Sequence, residues 1–220
     1  DVAVHVGTLF AVLVYLYKDV GAMIGGLGRA VQGRSDPGAK LFIYLVLGTI
    51  PVVIAGFLLE TYAPDMFRSV IVIGWTTLGF GLLLWIADRR IEHLGINDVL
   101  IIGLAQCLAL IPGTSRSGIT MTAARFVGME RPDAARFSLL LSIPVIIAAG
   151  TLAGRKIYMT GSGELAADAF VAAGLAFVTA LIAIAVMMAW LKRASFTPFV
   201  IYRIVLGIGL LVVAYGFVGI

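Results

Sequence analysis

The sequence has few charged residues, a single cysteine and two histidines. Only 13% of its 220 residues are charged and 61% are hydrophobic, whereas about a quarter of the residues in a soluble domain are charged. This shortage of charge excludes a water-soluble enzyme and an intrinsically disordered chain. Because the one cysteine, Cys107, lies inside an apolar run, the chain has neither a disulfide framework nor a thiolate metal site of its own.

Acidic and histidine side chains are also scarce where a metal site would need them. No acidic residue lies centrally in an apolar run, since Glu60 stands at the end of one. His5 and His93 have no carboxylate or second histidine at helical spacing. We therefore predict no metal ligands and no general-base histidine in this chain.

The basic residues do not form a nucleic-acid surface. The net charge is +4, but the 16 lysines and arginines are spread over short connections between apolar runs. The positive-inside pattern of membrane proteins and contact with anionic lipid headgroups explain this distribution. We expect membrane lipids, and no nucleic acid, as partners.

Long apolar runs dominate the chain. A transmembrane helix needs about 20 apolar residues, and unbroken runs without a period of two indicate helices instead of a β-barrel. Pro51 and Pro144 stand inside two of the runs, where we expect them to bend a helix. We predict an all-α, polytopic membrane helix bundle with six transmembrane spans: Val2–Tyr17, Leu41–Leu59, Ser69–Ala87, Phe137–Gly154, Ala169–Leu191 and Ile204–Ile220.

A seventh apolar region is too short to cross a bilayer. Val99–Ile111 has 13 residues, which cover about 20 Å of a hydrocarbon core roughly 30 Å thick. The sequence Pro-Gly-Thr-Ser-Arg-Ser-Gly at Pro112–Gly118 interrupts it, and the short run Ile119–Ala124 follows. The segment is either one broken span or a re-entrant helix-loop-helix over residues 97–127 that returns to the side from which it entered.

The distribution of basic residues favours the re-entrant geometry. It places 12 lysines and arginines on the cytoplasmic side and 3 outside (Arg68, Arg155 and Lys156), whereas a spanning segment gives 8 and 7. Arg116 belongs to neither side, because it lies at the hairpin tip within the membrane. We predict that Gly21–Ala39 forms a cytoplasmic loop. The basic residues on the cytoplasmic side are Lys18, Arg29, Arg34, Lys40, Arg89, Arg90, Arg125, Arg131, Arg136, Lys192, Arg193 and Arg203.

The order of elements predicts two related halves in one integral membrane domain. Residues 97–220 contain a hairpin and three spans, and residues 1–96 contain three spans. A matching hairpin ahead of the first span would complete an inverted repeat, because three spans reverse the orientation of the second copy. Since the chain starts at Asp1 and is apolar from the next residue, we expect that upstream sequence with a first re-entrant pair is missing.

The hairpin tip has the chemistry of an anion site. A half-helix that begins near Ser117 directs free N–H groups and its positive dipole end at the tip, which attracts phosphate. Arg116 adds a permanent charge with a planar fork, and an arginine at bilayer depth costs on the order of 3 kcal/mol. The alternative is a polar kink from which Arg116 reaches water. Gln106 either contacts a ligand or forms a helix–helix hydrogen bond.

Four segments resemble the undecaprenyl pyrophosphate phosphatases, which are bacitracin-resistance proteins. Gln106–Thr120, with the pattern Pro-Gly-x-Ser-Arg-Ser-Gly-x-Thr, looks like the second signature of that family. Phe137–Pro144 resembles the segment after it, Ser195–Arg203 resembles the C-terminal motif, and His5–Leu9 resembles the segment after the first signature. The resemblance extends along essentially the whole chain, but the first signature itself would lie upstream of Asp1.

The resemblance implies which residues act. Arg116, Ser115 and Ser117 are the candidate catalytic residues. The family's first signature carries acidic metal ligands, a histidine and a candidate nucleophilic serine. A divalent cation, Mg²⁺ or Ca²⁺, is therefore expected to bind upstream residues, and residues 1–220 alone are expected to be inactive. The candidate pyrophosphate-binding residues are Gly113, Thr114, Arg116, Ser117, Thr120 and Gln106.

The resemblance also implies an activity and a location. The expected substrate is a polyprenyl pyrophosphate lipid, undecaprenyl pyrophosphate, whose hydrolysis to undecaprenyl phosphate recycles the lipid carrier of peptidoglycan synthesis. The expected location is the bacterial inner (plasma) membrane, with a homodimer left open. A flippase or anion transporter that uses the same site is the alternative. A phosphatase that pairs a Ser-Arg turn with a later histidine is disfavoured, because His93 precedes Arg116.

Overall fold

A computed structural model describes residues 2–62, 69–88, 96–160 and 166–218, which within these ranges are helical with short connections. The elements are α1 (Val2–Tyr15), α2 (Tyr17–Val31), α3 (Pro37–Tyr62), α4 (Val70–Ala87), α5 (Ile96–Cys107), a 3₁₀ turn (Leu108–Leu110), α6 (Arg116–Phe126), α7 (Arg131–Thr160), α8 (Ala166–Leu191) and α9 (Thr197–Val218). The predictions that fall outside the described residues concern Asp1, Arg68, Arg89, Arg90, His93, the side chains of Arg155 and Lys156, and the last two residues of the sixth span.

The described helices confirm the predicted all-α, multi-pass membrane protein. By length and composition, five helices are able to cross a membrane, namely α3, α4 and most of α7, α8 and α9. Pro51 and Pro144 stand inside α3 and α7, and both helices continue past them.

The first predicted span differs from the structure. We predicted one helix over Val2–Tyr17, but α1 ends at Tyr15 and α2 turns away from it by 80°. Leu16 leaves the helical conformation, with φ −102° and ψ 29°. The polar residues Lys18 and Asp19 follow at once, so the apolar run has ended there. Counting the bent pair as one span gives six spans in the described part of the chain.

The predicted cytoplasmic loop Gly21–Ala39 is in large part helix α2. Asp19, Met23 and Gly26 are buried on one face of α2, with the spacing of successive helical turns, while Lys18 and Arg29 are exposed. This amphipathic pattern is typical of a helix packed on one side only. The absence of a long apolar run excludes a span here but does not exclude a helix.

The described chain forms two compact units. The first comprises Asp1–Val46 and Leu139–Ala189, and the second comprises Leu47–Ser138 and Trp190–Ile220. In the first unit, Asp36 connects α2 to α3, because its carboxylate accepts hydrogen bonds from Arg29 Nε at 2.6 Å and from the Gly38 N–H at 2.8 Å.

The second unit contains the predicted hairpin. α5 and α6 pack against each other, α6 also packs against α4, and α4 lies along α9. Gly103 of α5 touches the backbone of α3, since a Cβ at this position would lie 2.6 Å from the Gly48 carbonyl oxygen. Such close backbone contact is typical of membrane helices. The chain thus folds into a helix-turn-helix at the predicted break, while its re-entry into a bilayer stays a prediction.

Candidate functional site

The turn between α5 and α6 ends in a capped helix start. Ser115 is the N-cap of α6, and its Oγ accepts a hydrogen bond from the Gly118 N–H at 3.3 Å. Ser117 Oγ lies 3.4 Å from Ser115 Oγ. The predicted half-helix start near Ser117 is therefore confirmed to within a residue. Its first turn offers N–H groups and the positive end of the helix dipole to an anion.

Ser115 holds an uncommon backbone conformation. Among the described residues it is the one non-glycine residue with a positive φ, at 66°. Such a conformation costs of order 1–3 kcal/mol and persists where the surrounding structure enforces it, often at functional sites. This strain supports a role for the turn beyond simple chain reversal.

Gly113 is required by the path of the turn. Its φ is +87°, and a Cβ there would lie 2.5 Å from both the Ile73 carbonyl oxygen and Thr76 Oγ1. Only glycine combines a positive φ with so close an approach to α4. The turn is therefore pressed directly against the middle of that helix.

Three carbonyl oxygens of the turn accept hydrogen bonds from neighbouring helices, two of them from α4. Thr76 Oγ1 donates to the Pro112 oxygen at 2.6 Å, and Thr77 Oγ1 donates to the Gly113 oxygen at 3.1 Å. The third oxygen, at Thr114, is bound from α9 instead. Sequence reasoning missed both threonines, although a pair of hydroxyls in the centre of an apolar helix is a signal that could have found them.

Arg203 of α9 contacts the turn, which the sequence did not predict. One of its terminal nitrogens donates to the carbonyl oxygens of Gly113 and Thr114, both at 2.9 Å. Its Nε donates to the Thr77 carbonyl oxygen at 3.3 Å. We predicted Arg203 to be a charge in a cytoplasmic connection, but it lies within α9 and binds the turn. The resemblance of Ser195–Arg203 to a family motif was the available signal.

Together these contacts shape the electrostatics of the turn. A carbonyl oxygen carries partial negative charge and repels an anion, so donors that bind it lower that repulsion. Hydroxyls from α4 and a guanidinium from α9 bind the oxygens of three consecutive turn residues. The N–H groups that open α6 then dominate the field on the turn, together with a second positive charge from Arg203.

Arg116, the first residue of α6, carries the charge that was predicted for this site. It is half-buried, and within the described part of the chain its guanidinium makes no hydrogen bond or ion pair. A half-buried guanidinium with five donors is costly to leave unmatched. Arg116 is the first residue of α6, so its charge is carried by the same helix start that has the free N–H groups. This arrangement suits an anionic ligand with several oxygens, and the anion site itself stays a prediction.

Thr120 and Thr114 are buried instead of facing the turn surface. Thr120 is 1% exposed, and its Oγ1 lies 2.6 Å from Ser138 Oγ at the start of α7. Thr114 is fully buried, and its hydroxyl has no hydrogen-bond partner among the described residues. The structure thus gives Thr120 a helix–helix contact, and the substrate contacts of both residues stay predictions.

Gln106 takes the helix–helix hydrogen bond that was one of its two alternatives. It is fully buried, and its Nε2 donates to the Gly48 carbonyl oxygen of α3 at 3.4 Å. Its Oε1 has no hydrogen-bond partner among the described residues. Gln106 therefore holds the hairpin against α3, and any contact with a ligand stays a prediction.

The described residues do not bring together a metal site. Among them, no three side chains of histidine, cysteine, aspartate or glutamate lie close enough to hold a metal ion. His5 is on α1 and belongs to the first unit, whereas the turn belongs to the second.

Comparison with known proteins gives a consistent result. A family model described as bacitracin resistance protein BacA matches residues 1–209. Undecaprenyl-diphosphatase 1 of Rhodospirillum rubrum is 53% identical over 222 residues, which cover 98% of this chain and 79% of that protein. The undecaprenyl-diphosphatase of a Jannaschia species is 52% identical over 98% of this chain and 84% of its own length. The undecaprenyl-diphosphatase of Hahella chejuensis is 46% identical over 98% of this chain and 83% of its own length.

Proposed function

The chain belongs to the bacitracin resistance protein BacA family, and we propose that it hydrolyses undecaprenyl pyrophosphate to undecaprenyl phosphate, with the turn before α6 as the pyrophosphate site. The observation that supports this site is the half-buried guanidinium of Arg116, which has no partner in the described part of the chain and stands on the first turn of a helix. The activity is the one for which the relatives are named.

The pyrophosphate binds where the helix begins. Arg116 presents two parallel N–H donors to a pair of phosphate oxygens, and the free N–H groups of the first turn bind a further oxygen. Gly113 and Ser117 border this position. The head group of the substrate carries several negative charges while its prenyl tail stays in lipid, so a turn within a membrane protein meets both needs.

Hydrolysis requires little covalent chemistry from the protein. An oxygen from water bonds to the terminal phosphorus, and the bond from that phosphorus to the bridging oxygen breaks. Undecaprenyl phosphate, which keeps the bridging oxygen, is the leaving group, inorganic phosphate is the other product, and the water protons pass to product oxygens or to solvent. The charge spreads over the phosphoryl oxygens in the transition state, and preorganised donors stabilise it there. Arg116 supplies the permanent charge, and the hydroxyls of Ser115 and Ser117 stand next to it to orient oxygens.

A divalent cation, Mg²⁺ or Ca²⁺, belongs to this proposal as a neutraliser of the pyrophosphate charge. The described residues offer no ligand set that fits it. No step of the proposed hydrolysis is assigned to the cation. Loss of phosphate release in excess EDTA, with recovery on adding Mg²⁺ or Ca²⁺, tests the requirement.

The biological setting follows from the family and the substrate. Undecaprenyl phosphate is the lipid carrier of peptidoglycan precursors, so the reaction serves cell-wall synthesis and bacitracin resistance. The protein is a multi-pass membrane protein, and the proposed location is the inner (plasma) membrane. A homodimer is also proposed, and light scattering of the detergent-solubilised protein tests it.

The full-length protein in liposomes tests the proposal against the alternative of a flippase. The expected result is release of inorganic phosphate from undecaprenyl pyrophosphate. Translocation of the lipid between leaflets without phosphate release would instead establish transport and overturn the enzymatic assignment.

A further inference from the structure

A second polar cavity lies at the other end of α6. Its volume is about 490 Å³, and its charged lining comprises Asp88, Arg125, Glu130, Arg131 and Lys192. These residues come from the end of α4, the end of α6, the start of α7 and the connection after α8. Since α6 has 11 residues, its two ends are about 15 Å apart. The cavity is therefore separate from the turn that binds the pyrophosphate.

Arg125 is buried in the wall of this cavity. The residue is 3% exposed. Its two terminal nitrogens donate to the carbonyl oxygens of Met129 and of Asp88. Its Nε makes no hydrogen bond within the described residues, although it lies 3.5 Å from an Asp88 carboxylate oxygen. A buried guanidinium with an unused donor is costly unless another acceptor reaches it.

The carboxylate of Asp88 is already engaged on both oxygens. Oδ1 accepts a hydrogen bond from Arg131 Nε at 2.7 Å, and Oδ2 accepts one from the Phe196 N–H at 3.3 Å. Asp88 therefore neutralises about one positive charge and joins the ends of α4 and α9. Its single negative charge is shared between the guanidinium groups of Arg125 and Arg131 and cannot neutralise both.

The cavity has a surplus of positive charge. Arg125, Arg131 and Lys192 line it with only two acidic residues, Asp88 and Glu130. The Asp88 carboxylate already accepts a hydrogen bond from Arg131. Arg131 is 38% exposed at its side chain, so part of its guanidinium is open to a ligand. Lys192 is exposed and forms no ion pair among the described residues. An anion would complete the charge balance of this group.

The position of the cavity indicates which anion is at hand. The positive-inside distribution puts Arg125, Arg131 and Lys192 on the cytoplasmic side of the membrane. The cytoplasmic leaflet is rich in anionic phospholipids, and basic pockets between membrane helices on that side bind phosphate-bearing headgroups. The cavity volume exceeds that of a phosphate group several-fold, so a glycerophosphate headgroup also fits.

We propose that this cavity binds a phosphate group, carried by the headgroup of an anionic phospholipid, with Arg131 and Lys192 as its donors and Arg125 as the buried charge behind them. The site does not depend on the proposed hydrolysis, because none of its residues belongs to the turn before α6. Bound lipid would link the ends of four helices on one side of the membrane.

Native mass spectrometry of the delipidated full-length protein tests the proposal. The protein in detergent is titrated with phosphatidylglycerol, and in parallel with phosphatidylcholine, which carries a compensating positive charge. The variants are Lys192→Gln and the neighbouring Arg193→Gln, a matched control because Arg193 is exposed but does not line the cavity. Glu130→Gln is the third variant, because it removes a negative charge from the lining. A competition arm adds sodium phosphate against sodium chloride at matched ionic strength.

The expected result is a phosphatidylglycerol adduct that Lys192→Gln weakens about fivefold, as for the loss of one basic residue near a lipid surface. Arg193→Gln should leave the affinity within about twofold, and Glu130→Gln should raise it. A rise in affinity is a result that a misfolded variant cannot produce. Displacement of the lipid by phosphate supports recognition of the phosphate group itself, and retention of the lipid supports the whole headgroup as ligand. Equal binding of the two lipids, or equal losses in the Lys192 and Arg193 variants, would overturn the proposal.

Discussion

Three arginines of the second unit differ in what their guanidinium groups contact. Those of Arg125 and Arg203 donate to carbonyl oxygens of the protein and so connect helices. Arg116 donates to nothing within the described residues. The first two contribute to packing, whereas the third has its donors available for the proposed pyrophosphate. The same residue type thus has separate functions that depend on its neighbours.

We predict that Arg116→Lys lowers kcat/KM for undecaprenyl pyrophosphate about a hundredfold, because an ammonium cannot replace the bidentate fork. Phosphate release by the full-length protein is the measurement. Arg193→Lys, an exposed arginine outside the site, should keep full activity. Near wild-type turnover in the Arg116 variant would refute the role assigned to it.

We predict that Arg203→Lys lowers kcat about tenfold with a smaller change in KM. A lysine has only one nitrogen, so it cannot keep the bond from Nε to the Thr77 carbonyl oxygen while it donates to Gly113 and Thr114. The turn is then held less precisely in the transition state. Activity should be measured well below the Tm of each variant. A lower Tm with unchanged kcat would show that Arg203 only stabilises the fold.

At the scale of elements, the helix-turn-helix depends on a turn that only certain residues can form. Local composition predicted the break, because proline and glycine end helices and Ser115 caps the next one. The same composition did not predict the contacts of the turn with α4 and α9. Those partners lie 36 to 90 positions away in the chain, where no helical periodicity links them.

We predict that Gly113→Ala destabilises the protein by roughly 2 kcal/mol or more, because a side chain at a positive φ is strained and its Cβ would collide with α4. Thermal unfolding in detergent measures the change. Gly79→Ala on α4 is the matched control, since a Cβ there meets no atom within 4 Å. That control should be neutral or stabilising by up to about 1 kcal/mol. Similar Tm values for the two variants would contradict the proposed contact.

The stability of the connection between α2 and α3 should decrease at acid pH. The side-chain hydrogen bond from Arg29, together with the Gly38 N–H, holds the pKa of Asp36 below its ordinary value. This pair therefore contributes stability above about pH 4, the ordinary value for aspartate, and loses it as the pH falls through the lowered pKa. The contribution is small, because the Arg29 side chain is 49% exposed.

We predict that Asp36→Asn lowers the Tm slightly at pH 7 and that the difference from the wild type disappears as the pH falls below about 4. Arg29→Gln should remove the same pH dependence, since it removes the partner. Thermal unfolding over this pH range measures both variants. A difference that stayed constant with pH would show that Asp36 acts through something other than its charge.

At the scale of the whole molecule, the direction of the chain after α6 decides the topology. If α5 and α6 re-enter the membrane, the connections at Gln32 and Glu130 lie on the same side and Thr61 lies on the other. If the pair spans the membrane, Glu130 and Thr61 share a side. The packing of α5 against α6 suits the first geometry.

We predict that a single cysteine introduced at Thr61 reacts with a membrane-impermeant maleimide in intact cells. A single cysteine at Gln32 or at Glu130 should react only after lysis. The background is Cys107→Ser, which removes the one native cysteine. Labelling of the Glu130 site from outside would establish a spanning segment. The same result would move Arg125 and Arg131 away from the cytoplasmic leaflet.

The sequence by itself determined the membrane class, the places where the apolar runs end and the broken region before α6, and it predicted the anion chemistry of Arg116. These are local properties, because about 20 apolar residues suffice for a span and a proline-glycine turn suffices for a break. Tertiary structure decided the bend at Leu16, the helix in the predicted loop, and the position of Arg203 on the turn. The position of Arg203 depends on residues that are distant in the chain and adjacent only after the helices pack, where a buried carbonyl must find a donor.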